Sequence, residues 1–187
     1  GTVRIICGQG PMPRAATINT FASLGIKQMP AAGVLPASVP GAFGAWLRLL
    51  AEFGTLPLAS VLEPAIGYAA RGYPLLPSAA LTIAAVAPLF RTEWTESGRT
   101  YLPDGAPPAA GSRMRNQVLA GTFERIGREA RAASSDREAQ IEAAHAAFYR
   151  GFVAEAIDRF GRTTEVFDST GRRHRGLLTA DDLATWR

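Results

Sequence analysis

The sequence is poor in the residues that most often carry covalent or metal chemistry. Cys7 is its single cysteine, so no internal disulfide framework can form, and with only two histidines there is no His/Cys zinc set. No metal and no cofactor is expected. A run of 18 or more apolar residues is missing, which excludes a membrane-spanning helix. The opening residues lack both an initiating Met and a signal-peptide apolar region, so the chain reads as part of a longer product. The compartment stays open between cytoplasm and periplasm.

The motif inventory is equally thin. Gly8-Gln9-Gly10 looks like the start of a dinucleotide fingerprint, but Pro11 and Pro13 remove amides that a pyrophosphate would need, and the third glycine is missing. There is no Gly-x-Ser-x-Gly elbow, Walker loop, EF-hand or His-Glu-x-x-His pattern. Cys7 has no adjacent base and reads as a small buried hydrophobe rather than a nucleophile. His145 sits beside an apolar helical stripe, as a core or boundary residue or as a catalytic one. The Arg172–Arg175 tract either is solvated or holds phosphates.

What is present describes a globular, turn-rich chain. Hydrophobic residues make up 47% and charged residues 19% of 187 residues, which suits a packed interior and not a disordered tail. The formal net charge is +4, yet residues 1–90 carry five basic and two acidic side chains while the remainder carries fifteen and fourteen. The second half therefore has the balance of solvated helix faces. All of the twenty cations except Lys27 are Arg, an excess that genome composition explains as readily as phosphate binding, so no nucleic-acid partner is expected.

The period of the apolar residues makes the chain mostly helical. Residues 3–7 are β-branched and predict a strand. Residues 30–41 form a Gly/Pro-rich extended segment of a length that either lines a site or crosses the surface. Phe43, Trp46, Leu47 and Leu50 predict a helix from Gly41 to Gly54, and further helices are expected over residues 57–71 and 79–87, the last ending before Pro88. Pro103-Asp104-Gly105 is a turn. Asn116 caps a helix through Leu119, Phe123 and Ile126, and Ser135 with Glu138 matches a capping box. Gly151 separates two helices, residues 165–168 and 176–178 suggest a hairpin, and Thr179 with Asp182 forms a second capping box.

Several ordered segments then resemble the large subunit of the γ-glutamyltransferases, a family of N-terminal-nucleophile hydrolases. They are Val39 to Trp46, Phe53 to Pro57, Leu62 to Ile66, Ala70 to Tyr73, Tyr101 to Gly105, Phe148 to Gly151 with Ala154 to Ile157, and Gly176 to Leu183. Each is a weak helix entry, stop or cap; their order and separations across nearly the whole chain make the likeness specific.

The resemblance implies an α+β fold, mostly helical in this chain and part of an αββα sandwich. Residues 1–187 would be a single fragment of the large-subunit domain, whose two ends lie elsewhere. It implies a transferase and hydrolase made as a zymogen and matured by autocatalytic processing, with a place in glutathione metabolism. The threonine nucleophile would begin a separate small subunit, its α-amine serving as base, and the substrate would be a small γ-glutamyl molecule. No catalytic residue is then expected in this chain, which alone would be inactive. Thr163-Thr164-Glu165 echoes the family's processing junction, but it precedes the Thr179 cap and lacks the His. The family places an Arg-Glu pair after the strand matching residues 3–7; here Gln9-Gly10 stands there. Gln9 is the implied substrate contact, unless its role is structural, and Arg14 is a second contact if the loop folds back. Gln lacks the charged fork with which Arg grips a carboxylate. Without the resemblance, the alternative is a non-catalytic helical binding module.

Overall fold

The computed structural model describes residues 2–186. In chain order its elements are α1 (Ile18–Ser23), α2 (Ala42–Phe53), α3 (Leu58–Arg71), β1 (Tyr73–Pro74), α4 (Pro77–Thr92), α5 (Thr95–Tyr101), β2 (Arg113–Met114), α6 (Gln117–Ala133), α7 (Arg137–Tyr149), α8 (Phe152–Thr163), β3 (Val166–Phe167), β4 (Arg173–His174) and α9 (Ala180–Ala184). Helices dominate, and the strands among the described residues form two antiparallel pairs, β1 with β2 and β3 with β4. The chain divides into two compact units, residues 1–58 with 128–187 and residues 59–127.

In the first unit α2 packs on α7. Phe43, Gly44 and Leu47 recur at helical spacing and form the buried face of α2. Phe43 stacks on Phe148 with ring centroids 4.8 Å apart. Both ends of α2 are closed from the α7 side. At its start the Gly44 amide, an orphan of the first turn, donates to the Tyr149 hydroxyl at 2.9 Å. At its end the Arg137 guanidinium donates to the carbonyls of Leu50 (2.6 Å), Gly54 (2.8 Å) and Leu56 (3.1 Å). Gly151 separates α7 from α8, and α8 lies on the 176–178 segment through backbone contact, the Gly176 amide donating to the Gly161 carbonyl at 2.9 Å. The α9 start is a full capping box, Thr179 with Asp182.

The second unit has an apolar interior of Leu75, Ala80, Ile83, Ala87, Leu102 and Met114, with Ala79 and Phe90 packed against it. Pro77 begins α4 at a first-turn position, where its missing amide costs nothing. Phe90 stacks on Tyr101 of α5 at 5.7 Å. The 103–105 turn places Asp104 at φ 59 and Gly105 at φ 76, and Arg91 holds the Gly105 carbonyl. Asn116 caps α6 through its side-chain oxygen, which accepts from the Leu119 amide at 2.9 Å.

Several expectations need correction. Residues 3–7 belong to no strand, because a ladder needs a partner and no strand pairs with them among the described residues. In the same segment Cys7 is exposed, not a buried hydrophobe. The third helix does not stop at Pro88. It runs to Thr92, since the buried stripe of Ala80, Ile83 and Ala87 continues to Phe90 and outweighs one lost backbone bond. The cap before α7 is Asp136, which accepts from the Ala139 amide, one residue after the expected Ser135. The hairpin's second strand is Arg173–His174 rather than residues 176–178, because Gly171 at φ 77 closes a tight turn directly after Asp168. Helices α1 and α5 and the pairing of β1 with β2 lie outside the sequence expectations.

A candidate substrate wall

The loop carrying Gln9 is set by backbone contact. A Cβ on Gly10 would fall into the Val39 carbonyl, and one on Gly41 would stand 2.6 Å from the Gly8 carbonyl oxygen and 3.0 Å from the Gly10 nitrogen. Only glycine allows the 8–10 turn to lie this close to the entry of α2. The Val39 amide donates to the Pro11 carbonyl at 3.0 Å and ties the two stretches together. Gln9 is exposed between these two glycines. A Glu at position 10 has no room, so this short turn carries no acidic side chain.

Beneath the contact lies a buried polar knot. Tyr149 is fully buried, donates its hydroxyl proton to the Pro40 carbonyl at 2.7 Å and accepts from the Gly44 amide. Burial pushes its phenol above the ordinary range, against the opposing influence of the Gly44 amide and the Trp186 indole, so the hydroxyl stays protonated as a donor. The Trp186 ring fills the space over Gly41 and Gly44, where a Cβ would stand 2.6 Å and 2.7 Å from it. Its N–H turns toward the Tyr149 oxygen without closing a hydrogen bond.

Arg14 is the other expected contact. Its side chain is 70% exposed, but its amide and its Nε both donate to Asp182 Oδ1, at 3.1 Å and 3.3 Å. Burial of Asp182 would raise its carboxyl. The Arg14 amide, the Thr179 hydroxyl and amide, and the Arg14 guanidinium hold it below the usual carboxylate range instead. Arg14 thus sits on the capping box of α9, with its terminal nitrogens left to solvent. The cleft beside this wall, of about 270 Å³, is lined by Arg4, Ile5, Cys7, Arg48 and Trp186 among others.

A second polar cluster went unnoticed in the sequence. His174 Nδ1 lies 2.6 Å from Asp168 Oδ2, with side chains 10% and 0% exposed, and Thr170 donates its hydroxyl and amide to Asp168 Oδ1. This turn underlies the Gly/Pro-rich loop. A Cβ on Gly33 would stand 2.5 Å from the Asp168 Cβ, and the Ala31 amide donates to the Ser169 hydroxyl. The available signal was Asp168-Ser169-Thr170-Gly171, an Asx-type turn. Within the Arg172–Arg175 tract His174 therefore faces inward, while Arg172 reaches the Leu24 carbonyl and Arg175 lies 3.7 Å from Glu165. His145 is half-buried and packs on Tyr149 at 4.5 Å. Among the described residues no three His, Cys, Asp or Glu side chains gather to hold a metal.

Comparison with known proteins decides the family. The Gamma-glutamyltranspeptidase family model matches residues 1–187. The chain belongs to the γ-glutamyltranspeptidase family. The solved structure of LmbA2991HD is 47% identical, covers 100% of this chain and superposes with a TM-score of 0.94. Cephalosporin acylase from Bacillus halodurans is 33% identical over 96% of the chain, with a TM-score of 0.74. The Acylase ACY 1 proenzyme of Pseudomonas sp. (strain V22) is 39% identical over 98 residues, 52% of the chain. This chain spans 32%, 30% and 17% of those three proteins respectively. These likenesses confirm the partial α+β, largely helical fold of an N-terminal-nucleophile hydrolase.

Proposed function

We propose that residues 1–187 are a single section of the large subunit of a γ-glutamyltransferase-like or acylase-like enzyme with a threonine nucleophile. The whole assembly cleaves γ-glutamyl or related amide bonds. Threonine attacks the carbonyl carbon, its hydroxyl proton passes to the terminal α-amine, the amine leaves protonated, and water or a second amine takes the acyl group from threonine. The nucleophile lies on a small subunit outside this chain, which alone is inactive. The observation that carries the reading is the family match along the full chain, joined to its span of 32% of a homologue 47% identical to it. The word proenzyme in the name of the Pseudomonas relative supports a processed precursor. The exposure of Val3 (85%) and Ile5 (89%) fits an apolar segment that is covered by further polypeptide in the whole enzyme.

Within this reading Gln9 and Arg14 contact the acyl group. Gln9 offers a neutral amide, and the free nitrogens of Arg14 offer charge from the far side of the Pro11–Pro13 stretch. Expression of the full-length gene product tests the whole. Intact mass should show a cut releasing a Thr-initiated segment, and the product should hydrolyse an acyl anilide. Activity from residues 1–187 alone, or an uncut and inert full-length protein, overturns it. Gln9→Ala in the matured enzyme should raise KM more than it lowers kcat.

A further inference from the structure

We infer that Tyr149 is a positioning residue for the substrate wall, its hydroxyl setting the height of Gly41 and through it the placement of Gln9. This rests on the proposal that Gln9 contacts the acyl group, and extends it to a residue that touches no substrate.

The hydroxyl bridges two backbone groups four residues apart. It donates to the Pro40 carbonyl at 2.7 Å and accepts from the Gly44 amide at 2.9 Å, so residues 40 and 44 are held to one atom. Gly41 lies between them, and a Cβ there would stand 2.6 Å from the Gly8 carbonyl oxygen and 3.0 Å from the Gly10 nitrogen. Trp186 packs against Gly41 and Gly44 beside the Tyr149 hydroxyl. The Gln9 stretch therefore rests on backbone at Gly41 and Val39, with only the short Ala45 and Val39 side chains beside it. A shift of a few tenths of an ångström at Gly41 passes directly to the Gly8 carbonyl and the Gly10 amide. The location of the bridge is informative as well. A first-turn amide is ordinarily satisfied by a capping side chain of its own helix entry, yet the α2 cap is Gly41, which has none. The cap function has moved to α7, leaving position 41 free to be glycine where the loop needs it.

The test is a double-mutant cycle in the matured full-length enzyme, with an acyl anilide as substrate and KM and kcat read separately. Tyr149→Phe keeps the ring and removes the bridge. It should leave maturation intact and raise KM roughly five- to tenfold, with kcat changing less than about twofold. In a Gln9→Ala background the same change should add little, because the group being positioned is gone. Independent, multiplying effects of the two substitutions overturn the inference while the Gln9 reading stands. A silent Gln9→Ala overturns that reading and this inference with it. Failure of Tyr149→Phe to mature also overturns the inference, because a hydroxyl that only positions the Gln9 stretch is not needed for maturation.

Discussion

Each unit has an apolar interior, but they differ in the polar groups buried with it. In residues 59–127 the interior is an apolar cluster of Leu75, Ile83, Leu102 and Met114, with Ala80 and Ala87 between them. The other unit adds to its own apolar packing the buried Asp168, Asp182 and Tyr149, whose hydrogen bonds reach loops as well as helices. Apolar packing tolerates small shifts in any direction, whereas a charged or polar link specifies one geometry. The unit that carries the Gln9 turn, the Gly/Pro-rich loop and the α9 cap is therefore the one built for fixed backbone positions.

Substitutions can break or sharpen this contrast. The largest effect is expected at Leu102→Ala, which opens a cavity in the apolar unit and should lower stability by about 2–5 kcal/mol. Urea unfolding at pH 5 and pH 8 should give the same loss, and a loss confined to one pH would contradict a purely apolar interior. Asp168→Ala should follow, at roughly 1–3 kcal/mol near neutral pH, since it leaves His174 and Thr170 without their acceptor.

That site also carries a pH signature. Burial alone would raise the Asp168 carboxyl, but the Thr170 hydroxyl and amide, and then the His174 ring, bring it below the ordinary carboxylate range. A lowered native value means the contribution is present above the unfolded value and lost as pH falls through the native one. Wild-type stability should thus drop below about pH 4, and Asp168→Ala should flatten part of that slope. An unchanged acid limb in thermal melts would remove Asp168 from the account.

Smaller effects should appear at the helix ends. Arg137→Met removes the donor to three carbonyls at the close of α2 and should cost about 1–2 kcal/mol, with amide exchange at residues 50–54 accelerated. Thr179→Ala removes one half of the α9 box, for about 1 kcal/mol. If Thr179→Ala proved more damaging than Leu102→Ala, the ranking of the two kinds of interior would be reversed.

Local signals made much of this fold readable. The Gly41–Gly54 bounds of α2, the Asn116 and Thr179 caps and the Gly151 break depend on residues within one turn of each other, and all stand where the sequence puts them. What depends on distant partners was not readable. Residues 3–7 have strand composition without a strand, Pro88 is overridden by a stripe packed on Leu102, and His174 finds Asp168 through a turn whose tightness only Gly171 sets. The candidate wall divides in the same way. The departure at Gln9-Gly10 is visible in the letters, but the bridge from Tyr149 spans 109 positions to Pro40 and has no local trace.

Cys7 is the sole thiol of these 187 residues, is exposed, and lies two positions before Gln9. A maleimide dye would therefore attach to this polypeptide at one defined place, on the rim of the Trp186 cleft, without any engineered handle. Quenching or a spectral shift of that dye would report, in real time, any change in the surroundings of this rim.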